Sequence, residues 1–250
     1  EAPALLGFGN TIDIEGDYIM VGEDGANTAH LYQWNGETWG DTLFTASDSV
    51  EGIRFGSSVA IGEDMIVVGA AYGQDDSALP TGCVYVYQWN GETWDETKIT
   101  ASDAGGGDFF GSSVAIDGRT IIVGAYGEDD PGGDSEGCAY VYQWNGEIWD
   151  EIKLIASDRE DFDKFGFSVD IDGATAIVGS IGDDDKGDNS GSIYTYDLSA
   201  YLDTTAPDSP TGLSDLNLNG AVSLSWNDAV DNEGGNGIWR YIVEYADNSD

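Results

Sequence analysis

The sequence predicts an all-β protein, a β-propeller of four-stranded antiparallel blades that is followed by the start of a β-sandwich. The first observation is a repeat of the type FGSSVAIGEDMIVVG, with spacings of 47, 55 and 55 residues. Its four copies begin at Phe8, Phe55, Phe110 and Phe165. The second is the hexapeptide YQWNGE, which occupies residues 32–37, 87–92 and 142–147. The third is the alternation of short apolar runs with turn residues and the near absence of a helical pattern.

Each repeat is predicted to contain four short strands. The first strand, of the type FGSSVAI, and the second, of the type TIIVGA, are joined by a two-residue turn. We place this turn at Glu15-Gly16, Glu63-Asp64, Asp117-Gly118 and Asp172-Gly173. The third strand, of the type CAYVYQW, leads through Asn-Gly to the fourth, of the type IWDEIKLIAS.

The Asn-Gly pair predicts the register of this second hairpin. Asn-Gly favours a type I′ turn because both residues tolerate positive φ. The predicted cross-strand pairs are Tyr32 with Trp39, Tyr87 with Trp94, and Tyr142 with Trp149. We expect these rings to belong to the core, where aromatic pairs contribute roughly 0.5–1.5 kcal/mol beyond area burial. The alternative is a role in stacking on carbohydrate.

The charge of the chain excludes several classes of partner. The 250 residues include 48 acidic and 8 basic side chains, a formal net charge of -40. Such a surface repels nucleic acid and anionic lipid and attracts cations and basic surfaces. No apolar run approaches the ~20 residues of a membrane span, so no membrane insertion is predicted.

Repeated Phe-Gly followed by Val-Gly-Ala resembles the FG-GAP repeats of the integrin α-subunit propeller and of many secreted microbial proteins. The resemblance covers roughly residues 5–200. The proline of Gly-Ala-Pro is absent, since the copies read VGED, VGAA, VGAY and VGSI. The loop that often holds calcium in integrin blades is only a two-residue turn here, so that site is not carried over. Short turns resemble the microbial branch, and the family implies an extracellular or cell-surface location.

Acidic residues concentrate in loops that share one face of an up-and-down meander. These are the loops between second and third strands, and the inter-blade loops that begin with Asp48, Asp103 and Asp158. Calcium takes six to eight oxygen ligands, which clustered carboxylates can supply, so calcium is the candidate cofactor. A solvated acidic rim with no specific ion is the alternative. The candidate ligands are Asp183, Asp184, Asp185, Asp188 and Asn189 in the last loop, the best candidate, with Asp129, Asp130, Asp134, Asp75 and Asp76 in the earlier loops.

No catalytic site is predicted. The single histidine, His30, has no visible serine or cysteine partner motif, and the acidic pairs recur in every blade whereas a catalytic pair is normally unique. Cys83 and Cys138 occupy equivalent positions in neighbouring repeats, too far apart for a disulfide, and are predicted to be free, partly buried thiols.

The composition changes after Leu202, which divides the chain into two predicted domains. Residues 1–203 form the propeller repeats, and residues 204–250 resemble the first half of a fibronectin type III domain. Half a sandwich leaves an open sheet edge, so we expect either a longer protein or a completing partner. Four blades could close a ring, but the resemblance implies seven, with about three upstream, and favours an incomplete array.

Three functions follow from this organisation. The first is a non-catalytic extracellular or cell-surface recognition and adhesion module that binds a protein or a surface glycan. The second is a structural subunit of a surface layer or filament, which self-associates by strand addition at its open edges. The third is an accessory region of a secreted hydrolase.

Overall fold

The computed structural model describes residues 7–48, 52–73, 81–129, 134–185, 187, 189–202, 214–218 and 221–225. These residues form antiparallel β-strands, with no helix among them. The described part of the chain thus offers no helix of the length and hydrophobicity that a membrane crossing needs. The predicted all-β fold is confirmed.

The strands assemble into consecutive sheets that we call blades 1 to 4. Blade 1 contains β1 (Phe8–Glu15), β2 (Tyr18–Glu23), β3 (Thr28–Trp34) and β4 (Trp39–Phe44). Blade 2 contains β5 (Phe55–Ile61), β6 (Met65–Ala70), β7 (Cys83–Trp89) and β8 (Trp94–Ile99). Blade 3 contains β9 (Ser113–Asp117), β10 (Thr120–Ala125), β11 (Cys138–Trp144) and β12 (Trp149–Leu154). Blade 4 contains β13 (Phe165–Asp172), β14 (Thr175–Ser180) and β15 (Ser192–Asp197).

Within every blade the spatial order of the strands equals their order in the chain, as a propeller of repeats requires. A separate antiparallel pair consists of β16 (Ser214–Leu218) and β17 (Ala221–Ser225). The first strand of each blade contacts the first strand of the next, so the blades pack face to face in chain order.

The phenylalanines of the second, third and fourth Phe-Gly motifs each anchor one blade on the blade before it. Phe55, Phe110 and Phe165 are fully buried. The Phe110 ring packs edge-on against Tyr140 in its own blade, with centroids 5.4 Å apart, and lies in one apolar cluster with Met65 and Val67 of blade 2. The motif residues therefore form the inter-blade core.

The glycines of the repeat allow neighbouring backbones to approach. Gly111 has a φ of 87°, a left-handed conformation that favours glycine. A Cβ placed on Gly69 of blade 2 would lie 2.1 Å from the Gly111 carbonyl oxygen of blade 3. The same oxygen accepts a 2.8 Å hydrogen bond from the Ser58 hydroxyl. The Val-Gly motif of one blade therefore packs directly against the Phe-Gly motif of the next blade.

The predicted register of the second hairpin is wrong. Trp34 pairs with Trp39, and Tyr32 lies opposite Asp41 instead of Trp39. The other two predicted pairs fail in the same way, since Tyr87 faces Glu96 and Tyr142 faces Glu151.

The reason for this shift is the side chain of the turn asparagine. The Asn35 Oδ1 atom accepts hydrogen bonds from the backbone N–H groups of Glu37 and Thr38, at 3.0 and 2.8 Å. Only Gly36 of this loop has a positive φ, so the connection is a four-residue loop and not a type I′ turn.

The connections between first and second strands are two-residue turns, as predicted, but three of the four lie one residue later than predicted. In blade 1 the residues Glu15 and Tyr18 form the last pair, so Gly16-Asp17 make the turn instead of Glu15-Gly16. The turns at Gly118-Arg119 and Gly173-Ala174 are shifted equally, whereas Glu63-Asp64 lies as predicted. Glycine takes the first corner because that position of a type II′ turn needs a positive φ.

Candidate cation site at the acidic rim

Each inter-blade loop begins with the same tripeptide, at residues 46–48, 101–103 and 156–158, which we call the Ala-Ser-Asp segments. The aspartate of each segment faces a tyrosine on the third strand of the following blade. The Tyr85 hydroxyl donates a 2.6 Å hydrogen bond to Asp48, and the Tyr140 hydroxyl donates a 2.6 Å hydrogen bond to Asp103. The rim is therefore built from contacts between consecutive blades.

In blades 2 and 3 a lysine neutralises this aspartate. The Lys98 Nζ atom lies 2.7 Å from Asp48 Oδ2, and Lys153 Nζ lies 2.7 Å from Asp103 Oδ2. Hydrogen bonds from Lys98 and Tyr85 lower the pKa of Asp48. Burial favours a higher pKa at Asp103, but the hydrogen bonds from Lys153 and Tyr140 outweigh it and lower that pKa as well.

The residue two positions before each lysine binds the serine of the same segment. The Ser47 hydroxyl donates a 2.5 Å hydrogen bond to Glu96, and the Ser102 hydroxyl donates a 2.5 Å hydrogen bond to Glu151. The fourth strands β8 and β12 thus each present a Glu-x-Lys pair, whose glutamate binds the serine and whose lysine binds the aspartate.

Blade 4 replaces the lysine contact with carboxylates. The Tyr194 hydroxyl lies 2.8 Å from Asp158 Oδ1 and 2.5 Å from Asp183 Oδ2. Oxygen atoms of Asp158, Asp183 and Asp185 lie within 4.8 Å of one another. Among the described residues of blade 4 there is no fourth strand to carry a lysine here.

This arrangement has an excess of negative charge. The Tyr194 hydroxyl shares one proton between the two carboxylates, and Asp183 also accepts a 3.2 Å hydrogen bond from the Asp185 N–H. The Asp183 residue is only 3 % exposed. Burial and the neighbouring Asp183 and Asp158 raise the pKa of Tyr194, so the phenol stays neutral. Several carboxylates this close are stabilised by a cation or by protonation.

The residues present fit a hard divalent cation. Carboxylate oxygens are the ligands that Ca²⁺ prefers, and three side chains supply part of the six to eight oxygens it takes. The site also lies where Lys98 and Lys153 put positive charge in the preceding blades. Positive charge at this point is therefore a repeated feature of the rim.

Comparison with known proteins identifies the repeat. The model of the FG-GAP repeat family matches residues 39–87, 94–142 and 149–196, more than half of the chain. The chain belongs to the FG-GAP repeat family. Each match begins at the tryptophan that opens a fourth strand and ends in the third strand of the next blade. The family unit therefore contains an Ala-Ser-Asp segment together with the tyrosine that binds it.

Two further comparisons add little about function. No curated protein matches the chain. A solved structure of a leech intramolecular trans-sialidase, complexed with 2,7-anhydro-Neu5Ac, is similar at 12 % identity and a TM-score of 0.40. The likeness covers 74 % of this chain and 30 % of that one. The FG-GAP chain thus spans less than a third of that structure.

The FG-GAP fold brings together only some of the predicted ligands. Asp183 and Asp185 lie in the one group of three acidic side chains found in the described ranges, whereas Asp184 of the same loop does not. Asn189 of this loop is described and has a positive φ of 50°. Asp129 instead accepts a hydrogen bond from the Ser135 N–H, and Asp134 donates its N–H to Asp161. The predicted ligands Asp75, Asp76, Asp130 and Asp188 lie outside the described residues. Asp158 is the third member of the group and was not among the predicted ligands. The feature of the sequence that could have indicated it is the third Ala-Ser-Asp segment.

The two cysteines lie in β7 and β11, and the single histidine lies in β3. Cys83 and Cys138 are free, as predicted, and are buried more completely than predicted. His30 occupies the position of the rim tyrosines in blade 1, where its Nδ1 atom lies 3.1 Å from Asp41 Oδ1.

A second buried carboxyl at the rim predicts a pH dependence of stability. Asp108 is 7 % exposed, and burial, aided by Glu128, Asp129 and Asp103, raises its pKa to about 6. In the unfolded chain an aspartate has a pKa of about 3.9. The native carboxyl holds its proton to higher pH, so its contribution to stability is complete below about pH 4 and is lost as the pH rises through 6.

We therefore expect Asp108→Asn to raise the free energy of unfolding by about 2 kcal/mol at pH 7 and to change it little at pH 4. Urea unfolding from pH 4 to 7.5 measures this difference. Asp134→Asn, which removes one charge from an exposed rim position, is the control and should show a smaller difference. A constant difference for Asp108→Asn across this range would contradict the assignment.

Proposed function

We propose that this FG-GAP chain is a non-catalytic recognition and adhesion module that works outside the cell or at its surface and binds a protein or a surface glycan. FG-GAP repeats are typical of extracellular, adhesion-like modules, which supports this location and class. The net charge of -40 argues against nucleic acid and anionic membranes as partners. The observation that carries the proposal is the carboxylate group of blade 4.

Ca²⁺ is the proposed ligand of Asp158, Asp183 and Asp185. Its charge would replace the ammonium group that Lys98 and Lys153 contribute in the preceding blades. By neutralising the three carboxylates it would tie the Asp183 loop to the Ala-Ser-Asp segment before blade 4. A surface of this kind is a recognition surface whose shape depends on extracellular calcium.

Calcium titration tests the proposal. We expect Ca²⁺ at 100 times its Kd to stabilise the chain by about 2.7 kcal/mol and so to raise Tm. Asp183→Asn and Asp185→Asn should each weaken binding measured by calorimetry, while Asp172→Asn, at an exposed position at the end of β13, should leave it unchanged. Molar NaCl should also raise Tm, because it shortens the reach of the rim charges to about 3 Å. Melting curves that coincide in chelator, calcium and salt would contradict both effects.

The domain organisation belongs to the same proposal. We infer that residues 1–203 form the propeller part, of the short-turn microbial type, and that residues 204–250 begin a fibronectin type III-like domain. The two-residue turns of the blades support the first assignment. The antiparallel strands β16 and β17 are compatible with the second.

The alternative, a structural subunit of a surface layer or filament, is favoured by one observation. Ile12 on β1 and Ile193 on β15 are 71 % and 79 % exposed. Their equivalents Val59 and Val84 are buried between blades. Covering such faces with further copies would build a polymer, which light scattering would detect as growth in mass with concentration. The accessory role in a secreted hydrolase stays a prediction, which the gene surrounding these residues would test.

A further inference from the structure

We propose that the cleft between blades 1 and 2, at the hairpin end of their strands, binds an uncharged sugar residue of a glycan. Trp89 and Trp94 would supply the apolar surface under the sugar ring, and the polar side chains around them would bind its hydroxyl groups. This inference rests on the proposed function in one respect, that it takes a glycan and not a protein as the ligand.

The cleft has the size of a small-ligand site. Its volume is about 510 Å³, within the range of about 300–1,000 Å³ that is typical of such sites. Its walls come from β2, β3 and β4 of blade 1 and from two turns of blade 2, those between β5 and β6 and between β7 and β8. These turns lie at the end of the strands opposite the acidic rim, because consecutive strands of a blade are antiparallel. The cleft is therefore separate from the carboxylate group of blade 4.

Two tryptophans form the apolar part of the cleft. Trp89 and Trp94 are paired across the hairpin of blade 2, with ring centroids 5.4 Å apart. Trp94 packs edge-on against Phe44 of blade 1 at 5.9 Å, whereas Trp89 is 41 % exposed. The face of an indole ring carries partial negative charge, which attracts the polarised C–H groups on one face of a sugar ring. Because Trp94 is already held by blade 1, this surface is formed before a ligand arrives.

The polar side chains of the cleft offer both donors and acceptors. The Gln33 Nε2 atom donates a 2.8 Å hydrogen bond to the Tyr18 hydroxyl, so the phenolic proton can be donated to a ligand. Glu63 and Glu92 are exposed and add carboxylate acceptors. A sugar hydroxyl both donates and accepts, so it can pair with the polar groups that lose water on binding.

The charge of the cleft selects an uncharged sugar. Among the described residues that line it there is no lysine, arginine or histidine. The carboxylates of Glu63 and Glu92 would repel a sugar that carries a carboxylate of its own. An organic cation would suit these carboxylates, but it would leave the donors of Tyr18 and Gln33 without an acceptor. The uncharged sugar is thus the ligand that uses all of the polar groups.

The next pair of blades repeats the tryptophans without these polar groups. Trp144 and Trp149 of blade 3 pair as Trp89 and Trp94 do, at 5.3 Å. Three polar positions of the cleft have apolar residues or glycine as their equivalents one blade later: Tyr18 corresponds to Met65, Glu63 to Gly118 and Thr93 to Ile148. Met65 is fully buried in the core between blades 2 and 3. The tryptophan pair is therefore a feature of the repeat, and its combination with polar side chains distinguishes the cleft between blades 1 and 2.

Saturation-transfer NMR with the whole chain in chelator tests the inference. The uncharged probes are glucose, galactose, mannose, fucose, N-acetylglucosamine and N-acetylgalactosamine, each titrated to about 50 mM. Glucuronic acid and N-acetylneuraminic acid are the anionic probes, and choline is the cationic one. We expect saturable binding of at least one uncharged sugar and weaker or no binding of the charged probes.

Variants of the chain locate the bound sugar. Trp89→Ala should weaken binding about tenfold or more, because it removes the stacking surface. Tyr18→Phe, which removes only a hydroxyl group, should weaken it about threefold to tenfold. Trp144→Ala makes the same truncation in the hairpin of blade 3 and is the matched control, which should keep the wild-type affinity.

Three results would overturn the inference. The first is that no uncharged sugar binds to a protein whose circular dichroism shows an intact β fold. The second is an equal effect of Trp89→Ala and Trp144→Ala, or none of Tyr18→Phe, which would place the sugar outside the cleft. The third is that choline or an acidic sugar binds as tightly as every uncharged sugar. Because the assay contains chelator, its failure beside a positive calcium titration would overturn this inference alone and leave the proposed function with a protein ligand.

Discussion

Replacing Gly69 by alanine is expected to lower the free energy of unfolding by about 3 kcal/mol or more. The new Cβ would lie 2.1 Å from the Gly111 carbonyl oxygen and 2.2 Å from the Ser58 hydroxyl. A hydroxyl can rotate away, but the carbonyl belongs to the backbone of the next blade. The change would therefore separate blades 2 and 3 and disturb the buried cluster around Phe110.

Chemical unfolding of Gly69→Ala beside Gly40→Ala measures this effect. Gly40 also lies within a strand, is exposed, and would have its nearest neighbour at an ordinary 3.8 Å. We expect the Gly40→Ala change to stay within about 0.5 kcal/mol. Similar small losses for both variants would show that the blades can separate slightly at little cost, against the tight inter-blade contact described above.

The strand order of the blades was predicted correctly because four copies of the repeat each indicate the same order. Four in-phase copies of the Phe-Gly segment fix the strand order, and each copy confirms the others. The repeat gave no such check on the register of the second hairpin. All three copies contain the same Asn-Gly pair and therefore led to the same wrong prediction. The Asn-Gly pair allows a type I′ turn, but the carbonyl of the Asn35 side chain binds two backbone N–H groups and stabilises a longer loop. That choice depends on side-chain hydrogen bonds that dipeptide preferences do not describe.

The candidate site was predicted in part for a related reason. Clustered aspartates in one loop pointed to Asp183 and Asp185, because neighbours in sequence are neighbours in space. Asp158 is 25 residues away from Asp183 and joins them only through the packing of blade 4 against the preceding loop. The partners of the Ala-Ser-Asp segments were missed as well, since Lys98 and Lys153 meet their aspartates 50 residues away. Contacts between blades depend on how the blades pack and on the hairpin register, which the sequence predicted wrongly.

The rim lysines differ in how much their contacts should contribute to stability. Lys98 binds one exposed carboxylate, that of Asp48, at 2.7 Å. Lys153 bridges Asp103 at 2.7 Å and Glu128 at 2.8 Å, and the Glu128 side chain is only 7 % exposed. Burial favours a lower pKa of Lys153, but the hydrogen bonds to Asp103 and Glu128 outweigh it and raise that pKa. Arg159 holds the other Glu128 oxygen at 2.8 Å, so these residues form one network.

We expect Lys153→Met to lower the free energy of unfolding by about 3 kcal/mol and Lys98→Met by about 1 kcal/mol or less. Methionine keeps the apolar stem, so the difference between the variants isolates the charge that faces buried Glu128. Urea unfolding at pH 7 measures both losses. The loss in Lys153→Met should shrink below about pH 4, because protonation of Asp103 removes part of the same attraction from the wild-type protein. Equal losses in the two variants would mean that Arg159 alone suffices to hold Glu128, and that the lysine contributes only an exposed ion pair.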